Sequence, residues 1–332
     1  MCGLFGFIGQ SNLRSSLLLQ ALAIADETRG RHSTGIVAQS SDRIFMHKKA
    51  LAGTRFVSEG YTEFLFETEY NIAVGHNRHA TAGEINDKNA HPFLLKLDEK
   101  KWAYGCHNGI VGNKEKIAKK FKIKEHPVDS HVALNAITAL VRRGAEVEDA
   151  IEEVTSFISR DADFTFIWVH GPRREVYMWR SPDRPLVIFD AREIGLGRFF
   201  CSTPEIFEKG WGSVRGALGD ASKIKSFVAR PYCLYKVQDD GHYEVDMVRE
   251  LEHAVRYKPE PKNNYNTGGR VLRDERGRYI GFTTTDDDGE ELEVVDNPNQ
   301  ETLTEFFGKN HHVVAGKSVN YKPRKGFWGD GD

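Results

Sequence analysis

The feature that most constrains this chain lies at its beginning. Residues 3–9, GLFGFIG, interleave Leu4, Phe5, Phe7 and Ile8 with three glycines. They read as a short buried strand that starts directly after Cys2. Residues 13–28 place Leu17, Leu18, Ala21, Leu22 and Ala25 at helical spacing, and the helix stops at Arg29-Gly30.

Further along, residues 34–39 and 43–48 are predicted to pair as a hairpin. Residues 71–77 and 102–107 are apolar, β-prone and bounded by turn residues. Residues 131–142 form a strongly amphipathic helix with Asp129-Ser130 at the N-cap position, and a second helix covers 147–158. Short β-prone segments then recur at 164–170, 175–180, 185–190, 197–202, 232–237 and 243–248, punctuated by Pro172, Pro182, Pro204 and Pro231. The order of strands, helices and strands predicts an α+β domain of two sheets with a helical layer, spanning residues 2–255. Residues 256–332 are polar, with blocks such as DDDGEE and KPEPKNNYNTGG. They read as an extension that is partly disordered or folds against a partner.

Composition excludes several classes. The formal charge is −2 over 332 residues, so no global positive field points to nucleic acid. No apolar run approaches the roughly 20 residues that span a bilayer. The N-terminus lacks the basic region of a secretory signal. The four cysteines, Cys2, Cys106, Cys201 and Cys233, are widely spaced. A reduced, cytoplasmic setting fits them, with neither a disulfide frame nor a metal site, and no cofactor motif is evident. His311-His312 is a tail pair without further ligands.

Once Met1 is removed, Cys2 carries its own base. A free α-amine titrates at about 7.7–8 and can take the thiol proton during attack, then return it to a leaving amine. Gly3 and Gly6 let backbone pass close to a substrate. Four other segments offer chemistry beside a plainer reading. In GHNRHATAG (75–83), Arg78 at a strand end suits a carboxylate, and Thr81 adds a hydroxyl; a surface arginine would read the same. In GCHNGIVGN (105–113), Asn108 and Gly109 supply either a tight turn or two donors for an oxyanion. In PVDSHV (127–132), Asp129 either caps the following helix or accepts bonds from a substrate ammonium. In RGRHSTGI (29–36), Gly30 ends a helix, and Arg29 stands ready to support a site beside the nucleophile.

The ordered series CGLFG, RGRHSTGI, GHNRHATAG, CHNGIVGN and DSHV resembles the class II glutamine amidotransferase domain of the N-terminal nucleophile hydrolases, over roughly residues 2–250. The resemblance implies a four-layer αββα sandwich with Cys2 at its centre. It implies that Arg78 binds the carboxylate of L-glutamine and Asp129 its amino group, and that Asn108 and Gly109 stabilise the oxyanion. It further implies that His79 and Thr81 line the pocket and that Arg29 lies near the nucleophile. Two positions depart from the family pattern: His32 stands where Asp is common, and His79 where Trp or Tyr is common.

The family couples ammonia release to an acceptor site. This sequence shows no SGGxDS loop, no GxxxxGK[ST] loop and no phosphoribosyl-pyrophosphate motif. The expectation is therefore a stand-alone glutaminase domain that serves a separate synthase or acceptor subunit. The alternatives are an N-terminal nucleophile hydrolase acting on another amide and an inactive glutamine-sensing module.

Overall fold

The computed structural model of the chain describes residues 2–252 except Asp42, Ala82, Arg160 and Asp161, together with three strands between residues 271 and 295. The strands are β1 (Gly3–Ile8), β2 (Ser33–Gln39), β3 (Ile44–Lys49), β4 (Ile72–Arg78), β5 (Phe93–Lys96), β6 (Trp102–Gly109), β7 (Phe164–His170), β8 (Glu175–Arg180), β9 (Val187–Asp190), β10 (Arg198–Cys201), β11 (Lys225–Val228), β12 (Cys233–Gln238), β13 (Val245–Glu250), β14 (Val271–Arg273), β15 (Tyr279–Thr285) and β16 (Glu291–Val295). The helices are α1 (Leu13–Ala25), α2 (Gly53–Ser58), α3 (Phe64–Glu67), α4 (Lys114–Phe121), α5 (Asp129–Arg142), α6 (Val147–Phe157) and α7 (Pro204–Leu218).

Two antiparallel sheets stack face to face. The first runs β11-β9-β10-β1-β4-β2-β3 and the second β13-β12-β8-β7-β6-β5. The alternation of side chains along β1 shows why four layers form. Phe5 and Phe7 point outward into a core shared with Leu18, Leu22, Phe207 and Trp211 of α1 and α7. Leu4 and Ile8 point inward, against Cys106, Ile167 and Met178 of the second sheet. The far face of that sheet buries Phe164, Phe166, Trp168 and Trp179 under Ile117, Leu134, Ile137 and Ile151 of α4, α5 and α6. Three apolar cores therefore hold four layers in the order αββα, and a strand buried on both faces reads as a continuous apolar run.

Local chemistry fixes the ends. Asn12 and Ser15 form a reciprocal capping box at the start of α1. The helix ends at Ala25 and passes through one 3₁₀ turn, Asp26–Thr28, which carries the chain to Arg29. The predicted hairpin is β2 against β3, with Ile36 opposite His47.

Two sequence expectations need correction. Helix α7 went unread because its 15 residues hold three glycines and open on Pro204. Proline is nonetheless tolerated at the first helical position. Its apolar stripe of Ile206, Phe207, Trp211 and Leu218 is buried in the outer core, and the Phe207 ring stacks on Phe189 at 3.8 Å. Helix α5 begins two residues earlier than expected: Val128 is its N-cap residue, with no side-chain cap, so neither Asp129 nor Ser130 serves as one. Within 256–332, β14, β15 and β16 pair as an antiparallel three-stranded sheet. The remainder of that extension, including His311-His312, lies outside the described residues.

Candidate active site

The site forms where β1, β4 and β6 end near one another across the sheet sandwich. Strand β1 pairs with β4, Gly3 opposite Asn77, which puts Cys2 beside Arg78 and His79. The half-buried Cys2 Sγ accepts from the His79 amide at 3.2 Å and lies 3.4 Å from the His79 carbonyl oxygen. Arg29 Nε donates to the Cys2 carbonyl at 2.9 Å, so the strand start is held from behind. Burial pushes the Cys2 thiol up from its ordinary value, and the His79 amide and Arg78 pull it part of the way back. Cys2 is thus held as a thiol rather than a preformed thiolate.

Asp26 lies under the start of β1. It is fully buried, and burial raises its carboxyl to about 8 despite the positive charge of Arg29. A Cβ at position 3 would sit 1.8 Å from Asp26 Oδ1, so only glycine fits there. Gly3 therefore serves the packing of strand on turn. Asp26 gave no signal in the sequence, because it looks like an ordinary acidic residue at a helix end.

Arg78 is 3 % exposed at the end of β4. Its Nη1 donates to the Glu84 carbonyl at 3.2 Å. Burial lowers the Arg78 pKa, and the charges of Cys2 and Asp129 counter that. Asp129, at the first turn of α5, accepts at Oδ2 from the Val111 amide at 2.6 Å, two residues beyond Gly109. Asn108 is 1 % exposed at the end of β6, and its Nδ2 has no hydrogen-bond partner among the described residues. Gly109 follows at φ +148°, and a Cβ there would meet the Asp163 carbonyl oxygen at 1.8 Å. His76 Nε2 contacts the His107 carbonyl oxygen at 3.0 Å, which ties β4 to β6 one residue before Asn108.

His79 and Thr81 lie exposed on the loop after β4. The His79 ring stacks on His32 at a 4.7 Å centroid distance, and His32 Nδ1 accepts from the Ala80 amide at 2.9 Å. The two positions that depart from the family pattern are therefore in contact with each other, beside the thiol. Cys106, in contrast, is fully buried between the sheets, and burial pushes its thiol well up. It is chemically silent.

Sequence reading also missed a buried histidine set. His76, His91 and His107 are each at most 2 % exposed, and the His76 and His91 rings are 4.2 Å apart. His107 Nδ1 is 2.8 Å from Ser130 Oγ. Burial lowers His76 to about 3, His107 to about 4 and His131 to about 4, with His91 well below its ordinary value. An unfolded histidine titrates near 6.5. The stability these neutral rings contribute is full above about pH 6.5 and is lost as pH falls toward 4. Asp26, with its raised pKa, works in the opposite sense from pH 4 to 8, but one group does not offset four. The melting temperature should drop by roughly 10 °C or more between pH 7 and pH 5. Thermal scans across that range check it, and an unchanged melting temperature would show that these rings are solvated.

Among the described residues no group of His, Cys, Asp and Glu side chains is arranged to hold a metal ion, and no helix is long and apolar enough to cross a membrane.

Residues 1–188 match the family model of the class-II glutamine amidotransferases, and the chain belongs to that family. Glutamine–fructose-6-phosphate aminotransferase from Chlamydia muridarum is 28% identical over 190 residues, covering 57% of this chain and 30% of that protein. Amidophosphoribosyltransferase from Synechococcus elongatus is 28% identical over 209 residues, covering 61% of this chain and 40% of that protein. The solved glutamine phosphoribosylpyrophosphate amidotransferase from B. subtilis shares the fold, with a TM-score of 0.57 and 20% identity over 74% of this chain and 49% of that one. The matched regions thus span less than half of these relatives. The αββα layering expected from the resemblance is the N-terminal nucleophile hydrolase type of sandwich, and the structure has it.

Proposed function

We propose that this chain hydrolyses the side-chain amide of L-glutamine through a γ-glutamyl thioester on Cys2 and delivers the ammonia to a separate acceptor enzyme. The observation that carries the reading is a buried arginine, Arg78, beside the Cys2 thiol and coupled by charge to both Cys2 and Asp129, with a buried, unpartnered Asn108 amide at the end of β6.

The steps follow from these groups. Arg78 holds the substrate α-carboxylate through parallel charge-assisted bonds, and Asp129 accepts from the α-ammonium. The α-amine of Cys2, freed by removal of Met1, takes the Sγ proton as sulfur attacks the amide carbon. The amide oxygen gains charge against Asn108 Nδ2 and the Gly109 amide. Collapse breaks the C–N bond, and the ammonium form of the Cys2 amine returns its proton to the departing ammonia. Water then adds to the thioester by the same route and leaves glutamate. The raised thiol pKa supports this route, because a thiol that stays protonated needs a base beside it, and the α-amine of the same residue is that base.

Replacing Arg78 with Met should raise the KM for glutamine by about 10²–10³-fold, since a buried charge partner is lost. Arg78→Lys should fall between, because an ammonium cannot bind a carboxylate bidentately. Steady-state ammonia release reads both, and an unchanged KM would remove Arg78 from the substrate site. The acceptor is proposed because this chain matches only 30% of glutamine–fructose-6-phosphate aminotransferase, whose name pairs glutamine with fructose 6-phosphate. Co-purification from the native source should recover a synthase, and its absence alongside full glutaminase activity would argue for plain hydrolysis.

A further inference from the structure

The loop from His79 to Pro92 follows the clamp residue directly and returns to β5. It is exposed over most of its length, yet it must present backbone to Arg78 in a fixed pose. One side chain from outside the loop holds its far end. Lys48 lies on β3, the edge strand of the first sheet. Its Nζ donates to the carbonyls of Ala90 at 2.8 Å, Pro92 at 3.3 Å and Lys88 at 3.3 Å. An ammonium has three hydrogens, and three convergent carbonyls use them all. The same Nζ lies 4.8 Å from the centroid of the Phe93 ring, the first residue of β5.

The contacts continue inward. Asn89 sits between two of the held carbonyls. Its Nδ2 donates to the Glu84 carbonyl at 3.0 Å, the same oxygen that accepts from Arg78 Nη1 at 3.2 Å. Its backbone N–H donates to Asn86 Oδ1 at 2.9 Å, which closes the turn between them. A neighbouring tie, Lys49 to Asp87 at 2.9 Å, is solvent-exposed and contributes little.

We infer that Lys48 is a positioning residue for glutamine binding. Its ammonium fixes the far end of the loop, Asn89 carries that constraint to the Glu84 carbonyl, and the carbonyl holds one arm of the Arg78 guanidinium in the pose that receives the substrate carboxylate. This inference rests on the glutaminase reading above.

The contact is sensitive to pH in an accessible range. Burial lowers Lys48 to about 8, and the Asp87 carboxylate draws it back only in part. The other titratable groups around it are Lys49 on the same strand, His91 in the loop, and His126 and His131 at the start of α5. Those three histidines have lowered values and stay neutral between pH 7 and 9.5. Over that interval Lys48 is the group in the set that changes charge. Losing its proton removes one donor and the charge that strengthens the other two.

The test uses Lys48→Met and Lys48→Arg in the full chain. Lys48→Met should raise the KM for glutamine about tenfold, the loss of one set of charge-assisted bonds, with kcat within about twofold. Lys48→Arg should restore KM to within about threefold. Wild-type KM should rise above pH 8 more steeply than the substrate amine alone requires, and Lys48→Met should lose that excess. Amide hydrogen exchange over residues 84–92 should speed up in Lys48→Met at pH 7. A wild-type KM without the excess rise overturns the inference even if Lys48→Met does not fold. Equal KM in variant and wild type, or a loosened loop with unchanged KM, also overturns it while leaving the glutaminase reading intact. A wild-type protein that releases no ammonia overturns that reading, and this one with it.

Discussion

Replacing Cys2 with Ala should lower kcat for ammonia release from glutamine by roughly 10⁴-fold or more, because removing a nucleophile removes the covalent route altogether. Fold and binding should be retained. Cys2 is half-buried at the strand start, and its loss leaves the layers of Leu4, Phe5 and Phe7 in place. No other thiol can substitute. Cys106, Cys201 and Cys233 are all buried, and burial raises each of them, Cys233 to about 11. Cys106→Ala is the matching control: it should keep kcat within a few-fold and cost only the stability of a small inter-sheet cavity. Kinetics of the two variants side by side decide the assignment. Activity that survives Cys2→Ala and is lost in Cys106→Ala would reverse it.

The second large effect belongs to Asn108. Its Nδ2 is buried without a partner among the described residues, a state that costs free energy unless function uses it. An oxyanion that appears only during reaction is such a use. Asn108→Ala should therefore lower kcat by about 10²–10³-fold while leaving the KM for glutamine within a few-fold, since the lost bond is made in the transition state. Asn108→Asp should be worse, because a carboxylate would face the developing negative charge. If Asn108→Ala instead raised KM and spared kcat, the amide would be a ground-state contact, and the oxyanion would need another donor.

The sequence was most informative where chemistry and backbone demand coincide. Cys2 with Gly3, Arg78 at a strand end and Asn108-Gly109 at another are each local patterns, and the structure brings all three strand ends together. Asp129 was legible as a residue but not in its local role. Helix propensity suggests a cap, whereas its carboxylate reaches the Val111 amide on a different element. Contacts of that kind depend on which elements the fold makes neighbours, and no local pattern records it.

The same limit explains the larger omissions. Helix α7 is unremarkable in propensity but gains its stability from burying Phe207 and Trp211 against α1 and β9, a tertiary effect. Asp26 looks like a solvated acid at a helix end, yet the turn after α1 places it under Gly3, where it holds a proton near neutral pH. Lys48 is one of two adjacent lysines on a strand, and the alternation of β3 sends one to the carbonyls of Lys88, Ala90 and Pro92 and the other to the exposed Asp87 carboxylate. The stacking of His32 on His79 is similar. Each was read as a separate departure from the family pattern, and only their contact shows that the two changes share one place beside the thiol.

The central claim is that Cys2, as the first residue of the mature chain, carries the γ-glutamyl group. Acid quenching of the wild-type protein during glutamine turnover, followed by proteolysis and mass spectrometry, tests it directly. The expected product is an N-terminal peptide that begins at Cys2 and carries one γ-glutamyl group lost on treatment with hydroxylamine. Fully active protein that retains Met1, or a γ-glutamyl group found on any residue other than Cys2, would contradict it.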